Sequence, residues 1–580
     1  MSARCYIQAA MLVFVGVVTP GTPAYAQAQP QPQVPPGAQG VIQENERIQR
    51  ELESRRLQQL QRDRESARPP TTIEVPEPTV SAGGAANAVC RDIKVISIDG
   101  ARLLSRGIEN RLARPYLGRC LTVSDIEHLL GDITKAYIDR GRATARAYLP
   151  EQDLSSGELR VTVLEGRIGA LKLNGRGVNL GGAFPYQVGH ELNLRSLEQG
   201  IDQINRLQSN HATLDIRPGD VPGESVVVVS NQPTRRIYGN IAADNLGSRA
   251  TGRYQGAVTV TGESLLGLND LLSFTRRQSD PLNSDKTQSS SETAFASLPY
   301  GPLTFSGGYT VSRYRTDIST LSGTSIRLTG NTKNAYGSID WAAYRNRTDQ
   351  LHLLATLTYK DQRSFIDGQL LSVSSRKLSV LDLDASFTTT RLPGLITLGF
   401  GYSHGLTAFD ALRDMPNLPD GAPRAQFDKF RISAAYFNSV NLGRQRVDLS
   451  SVFAAQLTGD TLYGSEQFAV GGVYSVRGFR ETTLANDKGF YLRNEVSAPM
   501  QVGSAFNRPV TLKPYFGLDV GRATGNAAGT PRGTLVGAAL GSSLIIGPAF
   551  FDVFVARRLE GPRFLDREGL QLFGRLSVRI

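Results

Sequence analysis

From about residue 236 to the end, apolar and polar residues alternate in stretches of about ten, each followed by turn residues. The final stretch is the clearest. Leu570, Leu572, Gly574, Leu576, Val578 and Ile580 share one parity, and Gln571, Phe573, Arg575, Ser577 and Arg579 share the other. Successive side chains of a strand point to opposite faces, so one face is oily and the other mostly polar. Residues 303–311 and 395–402 have the same strand-friendly composition. Strands of this kind suit a wall between lipid and a wet lumen. Lipid leaves unpaired backbone groups unsatisfied, so the wall must close on itself. About 345 residues shared among sixteen strands allow about 21 per strand with its turns, and fourteen or eighteen strands fit almost as well. The expected fold class is an antiparallel membrane β-barrel over 236–580. A large soluble β-sandwich or propeller is the competing reading of the same alternation.

Ahead of that region the period changes. Ile126, Leu129, Leu130, Ile133 and Tyr137 recur at three or four and predict a helix over 121–137, capped by Thr122 or Ser124. Strands over 93–98, 143–149 and 158–164 complete a small α/β module spanning 90–166. A second module over 167–232 repeats the plan, with strands at 168–173, 211–217 and 224–229. Its helix over 194–207 presents Leu194, Leu197, Ile201, Ile204 and Leu207 on one face. Residues 41–68 are rich in Glu, Gln, Arg and Leu and predict a solvated helix with a thin apolar stripe. Such a helix needs a partner surface or a wet cavity. The Pro/Gly-rich residues 69–89 read as a linker, and the Gln/Pro-rich 27–40 as a flexible leader.

Composition narrows the class. The chain has 580 residues, 40% of them hydrophobic, and a mean hydropathy of -0.22. No run reaches the roughly 20 apolar residues of a spanning helix. Arg4, the apolar residues 9–18 and the small residues of Ala24-Tyr25-Ala26 read as an export signal over 1–26, with a retained anchor as the alternative. Loss of the signal removes Cys5. Cys90 and Cys120 then fit one disulfide of an oxidising compartment, worth about 3 kcal/mol by loop closure, or else two buried thiols. The net charge of +11 is spread over alternate strand positions and turns, which argues against a nucleic-acid surface. Lumen walls, or a rim near anionic lipid, account for it as well. The five histidines are scattered, so neither a metal site nor a cofactor is expected. No phosphate-binding loop and no nucleophile–base–acid set stands out, so no enzyme is expected. His128 reads as a surface or packing residue, and Trp341 as part of a strand near a membrane boundary.

Three stretches carry a family resemblance. In the first module they run from Tyr116-Leu117-Gly118-Arg119-Cys120-Leu121 through residues 133–141 and 145–154 to Glu165-Gly166. In the second they are residues 193–200, Asn205-Arg206-Leu207, Arg217-Pro218-Gly219 and residues 222–225. In the third region they are Val476-Arg477-Gly478-Phe479 and the Asp519 of Phe516-Gly517-Leu518-Asp519-Val520-Gly521. With these the chain resembles the outer-membrane transporters of two-partner secretion, a branch of the outer-membrane assembly superfamily.

The resemblance implies an N-terminal helix, two periplasmic POTRA domains (90–166 and 167–232) and a barrel of sixteen strands that exports one large, β-rich partner. It implies that residues near 470–488 fold back into the lumen, with the Val476–Phe479 signature at their tip. Arg477 then meets Asp519, which shares an inward parity with Gly517 and Gly521. Segment 41–68 corresponds to the pore-plugging helix. Asn193, Leu194, Arg195, Leu197, Glu198 and Gln199 form a candidate substrate-docking helix. Further implied partners are outer-membrane lipid and lipopolysaccharide, periplasmic chaperones and the barrel-assembly machinery. One departure is Ile580, where family members commonly end in an aromatic residue. The rival readings are an assembly factor for other barrels and a diffusion porin.

Overall fold

The computed structural model describes residues 90–580 except 250, 282–287, 320–324 and 528. The expected signal, leader, helix and linker (1–89) lie outside the described residues.

In the first module, Val95–Asp99 runs parallel to Glu158–Leu164, which pairs antiparallel with Arg146–Tyr148. A separate ladder joins Arg91–Ile93 to Arg119–Leu121. The expected single strand over 93–98 is thus split at Lys94. There the Lys94 and Val95 amides both donate to the Gly157 carbonyl, and the chain switches sheets. The expected strand over 143–149 is shortened because the Ala145 amide closes a turn onto Arg142. Helix α1 (Arg106–Ala113) spans only eight residues and buries just Ala113, so periodicity did not reveal it. Helix α2 (Val123–Asp139) buries Ile126, Leu129, Ile133 and Tyr137 against Leu159, Val161 and Val163, and leaves His128 exposed.

Thr122 starts α2. Its hydroxyl accepts from the Asp125 amide at 3.2 Å, and the Asp125 carboxylate accepts from the Thr122 amide at 2.8 Å. The Thr122 hydroxyl and amide hold the Asp125 carboxyl below its ordinary range. Such a cap contributes about 1 kcal/mol. Cys90 and Cys120 are joined as a disulfide across a Cα separation of 5.3 Å.

In the second module Arg167–Gly175 runs parallel to Glu224–Asn231, which pairs antiparallel with Thr213–Pro218. A single turn, α3 (Leu180–Ala183), precedes α4 (Leu194–Asn205). The apolar face of α4, Leu194, Leu197, Ile201 and Ile204, packs on Ile168, Phe184, Val227 and Val229.

The remaining strands form a closed barrel. Sixteen antiparallel strands build it, from Ile237–Asp244 to Gln571–Arg579. Met500–Ala505 continues Lys488–Ser497 past a break at Pro499, and both pair with Arg508–Thr524. The closing seam runs from Arg575 opposite Asp244 to Arg579 opposite Asn240. The expected parity holds in the last strand. Leu572 and Leu576 face outward, 60% and 45% exposed, while Gln571 and Phe573 are buried on the inner side. Trp341 lies on Ser325–Arg345 and faces out. Short turns gather at the end that carries the second module, and the long loops at the other. No described helix is long and apolar enough to cross a membrane.

Candidate functional site: the inward loop and its anchors

Residues 458–487 connect Gln445–Leu457 to Lys488–Ser497. A two-stranded ladder of Phe468–Val470 with Leu484–Asn486 stiffens the segment. The tip beyond it is fully buried: Val476 and Phe479 are 0% exposed and Arg477 1%. Gly478 turns the tip at a φ of +95°, and a Cβ there would lie 2.4 Å from the Arg557 carbonyl carbon.

Arg477 spends its donors on the barrel wall. Its Nε donates to Asp519 Oδ2 at 2.7 Å and its Nη2 to Asp519 Oδ1 at 2.9 Å. Its amide also donates to Oδ2 at 3.1 Å. Nη1 reaches Glu495 Oε2 at 2.9 Å, and Nη2 reaches the Asn494 carbonyl at 3.1 Å. A planar five-donor fork is suited to this set. Two glycines make room for it. A Cβ on Gly517 would sit 1.8 Å from Arg477 Nη2, and one on Gly537 would sit 1.7 Å from the Arg477 carbonyl oxygen. Phe479 packs with Val470, Val476, Leu484, Ala523 and Leu535. At the tip, charge meets charge in a fitted cradle.

The base of the loop has its own anchor. Glu466, 4% exposed, accepts from Lys360 Nζ at 2.7 Å and from Lys429 Nζ at 2.9 Å. Those lysines come from Asp349–Ile366 and Asp428–Leu442. Past the tip, Glu568 accepts from the Arg480, Glu481 and Thr482 amides at 2.9, 3.1 and 3.0 Å. Glu481 in turn accepts from Arg253 Nη2 at 3.0 Å.

At the opposite end the second module is keyed to the barrel turns through α4. Arg345 donates to Glu198 at 3.3 Å and to Asp202 at 2.6 Å, and Arg195 donates to Glu198 at 2.7 Å. Gln203 reaches Gly301 and Thr304, and Arg206 reaches Ser297 and Asn269. These contacts use residues of the expected substrate-docking helix. Leu194 and Leu197 fill the module core, Asn193 caps α4 by accepting from the Arg195 amide, and Glu198 and Gln199 face Arg345. The side chains of α4 are taken up by the core and by the barrel, so none is exposed.

Residues 223–544 match the family described as haemolysin secretion/activation protein ShlB/FhaC/HecB, and residues 92–166 and 167–218 match POTRA domains, the first of ShlB type. The chain is 34% identical to the outer membrane transporter CdiB of Escherichia coli, over 81% of this chain and 78% of that protein. It is 31% identical to the hemolysin transporter protein ShlB of Serratia marcescens, over 87% of each. The solved structure of CdiB from Escherichia coli superposes with a TM-score of 0.82 at 30% identity, covering 93% of this chain and 99% of that one.

The chain belongs to the ShlB/FhaC/HecB family.

It is thus a two-partner secretion transporter of the outer membrane, with its POTRA domains in the periplasm and a large exoprotein as substrate. In this ShlB-family transporter the structure brings together Arg477 and Asp519, the pair singled out from the sequence. Sequence reading missed Glu495, Gly537, Glu466 and Glu568. Glu495 shares the inward parity of Tyr491 and Arg493 on its strand, a signal that narrows the choice without marking it. The others lie on separate elements and carry no local signal.

Proposed function

We propose that the transporter is a passive conduit whose resting state is set by the inward loop, and that Arg477 and Asp519 position this loop rather than react. The carrying observation is the buried fork of Arg477 on Asp519 inside a polar-lined, closed barrel. Removing Arg477 leaves the buried Asp519 carboxylate without the cation that holds it, and removing Asp519 leaves the guanidinium with Glu495 alone. The exoprotein arrives unfolded, docks on the POTRA modules and threads through the lumen. With α4 engaged by the barrel, strand addition at an exposed sheet edge is the docking mode that fits. Thr213–Pro218 pairs on one side only, with Glu224–Asn231. Segment 41–68 plugs the resting pore. Periplasmic chaperones and the barrel-assembly machinery deliver and insert the chain. The disulfide of Cys90 and Cys120 fixes the entry to the first module.

The test is site-specific photo-crosslinking of the co-expressed exoprotein, with the probe placed along Thr213–Pro218 and along the lumen. Adducts at both places are expected. Adducts to unrelated barrel precursors instead would make the chain an assembly factor, and none at either place would leave a porin.

A further inference from the structure

The outward face of five neighbouring strands changes from apolar to charged along a sharp line. Tyr309, Ala335 and Tyr359 lie side by side in register, and Tyr309 is 48% exposed. One step farther from the POTRA end, Arg276, Glu292, Val311, Lys333 and Asp361 form the next row. The row beyond it contains Arg313, Asn331 and Arg363. These residues share the parity of Phe274, Ile339, Trp341 and Leu353, which face lipid. Aromatic side chains followed by charge mark where a barrel leaves the hydrocarbon.

The four cations outnumber the two carboxylates, and the carboxylates hold them loosely. Arg276 and Arg313 each stand 3.5 Å from Glu292, and Arg363 stands 3.4 Å from Asp361. Lys333 is exposed and makes no ion pair among the described residues. Beside it Asn331 Oδ1 is buried without a hydrogen-bond partner. Asn331, Lys333, Asp361 and Arg363 line a shallow cleft. In the next sector the outward His404 Nδ1 is hydrogen-bonded to Asp428 Oδ1 at 2.8 Å.

We infer that this patch binds the phosphorylated sugar headgroup of an outer-leaflet glycolipid, with Arg313, Lys333 and Arg363 holding phosphate. The place selects the ligand: a lipid-facing surface at headgroup height, at the end of the barrel away from the POTRA domains, meets membrane lipid. Guanidinium groups fit phosphate in two places at once, and an ammonium adds a point charge.

The experiment is native mass spectrometry of the detergent-extracted mature protein, titrated with bis-phosphorylated lipid A, with dephosphorylated lipid A and with inorganic phosphate. Bis-phosphorylated lipid A is expected to bind about tenfold or more tighter than the dephosphorylated form. The combined variant Arg313→Gln, Lys333→Gln, Arg363→Gln is expected to lose that margin, and Arg522→Gln with Arg557→Gln on the far wall is expected to keep it. Heat-modifiable migration on gels reports folding. Should the combined variant not fold, Lys333→Glu alone serves, with the same loss expected. Equal binding of the two lipid A forms, or a folded patch variant with unchanged affinity, overturns the inference. Displacement of bound lipid A by millimolar inorganic phosphate also overturns it, in favour of a soluble-anion site.

Discussion

At the tip of the inward loop one arginine meets two carboxylates; at its base one carboxylate meets two lysines. Arg477 is held by Asp519 and Glu495, while Glu466 is held between Lys360 and Lys429. Both sites are buried, but they tolerate change differently. The guanidinium is planar and its donors have fixed directions, so the wall must be shaped to receive it, and Gly517 and Gly537 supply that shape. An ammonium is a point charge on a flexible stem, so the base adjusts to its surroundings. A latch meant to hold one geometry uses the first design. An anchor meant to keep a segment near the wall is served by the second.

The largest effect is expected from Arg477→Ala. Breaking a buried pair from one side costs about 3–5 kcal/mol, enough to free the tip. Secretion should fall about tenfold or more, with new protease cleavage within 470–488 and a barrel that still migrates as folded. Arg477→Lys should restore little, because one point charge replaces the fork. Unchanged secretion with a folded Ala variant would erase the distinction between the anchors.

Next come the cradle glycines. Gly537→Ala pushes against the Arg477 backbone, which cannot yield, whereas Gly517→Ala pushes against the end of its side chain. Secretion assays should rank Gly537→Ala as the more damaging, costing about 1–3 kcal/mol in loop stability. The reverse order would mean that the fork, and not the backbone path, sets the tip.

Smaller again is Glu466→Gln, which leaves two lysines without a countercharge but keeps a hydrogen-bonding oxygen. Loop cleavage by protease should rise modestly, with secretion reduced about threefold or less. Combining it with Arg477→Ala measures the coupling of tip and base; additivity within about 0.5 kcal/mol indicates independent anchors. The smallest effect belongs to Glu481→Gln. Its partner Arg253 is 41% exposed at the rim, and such pairs contribute about 0.2–1 kcal/mol. Secretion should be unchanged at ordinary salt.

Legibility followed locality. The helix α2 and its cap were readable because Thr122, Asp125 and the apolar positions lie within a few turns of one another. The barrel strands were readable from parity, and Asp519 stood out as a carboxylate between inward glycines. The polar face of α4 was readable as polar, but not as a joint, because its partner Arg345 lies 147 residues from Glu198. The base anchor was hidden for the same reason: Glu466 is separated from Lys360 by 106 residues and from Lys429 by 37.

By itself the sequence determined that the wall is built of amphipathic strands, since alternation is a property of neighbouring residues and follows from backbone geometry. It also pointed to Arg477 and Asp519, through a family resemblance carried by a short signature and supported by strand parity. Only the tertiary structure decided what those residues press against. Closing the barrel brought distant strands to one place, so the cradle glycines, the second carboxylate, the lysine pair and the outward basic patch exist as sites only once the sheet has closed.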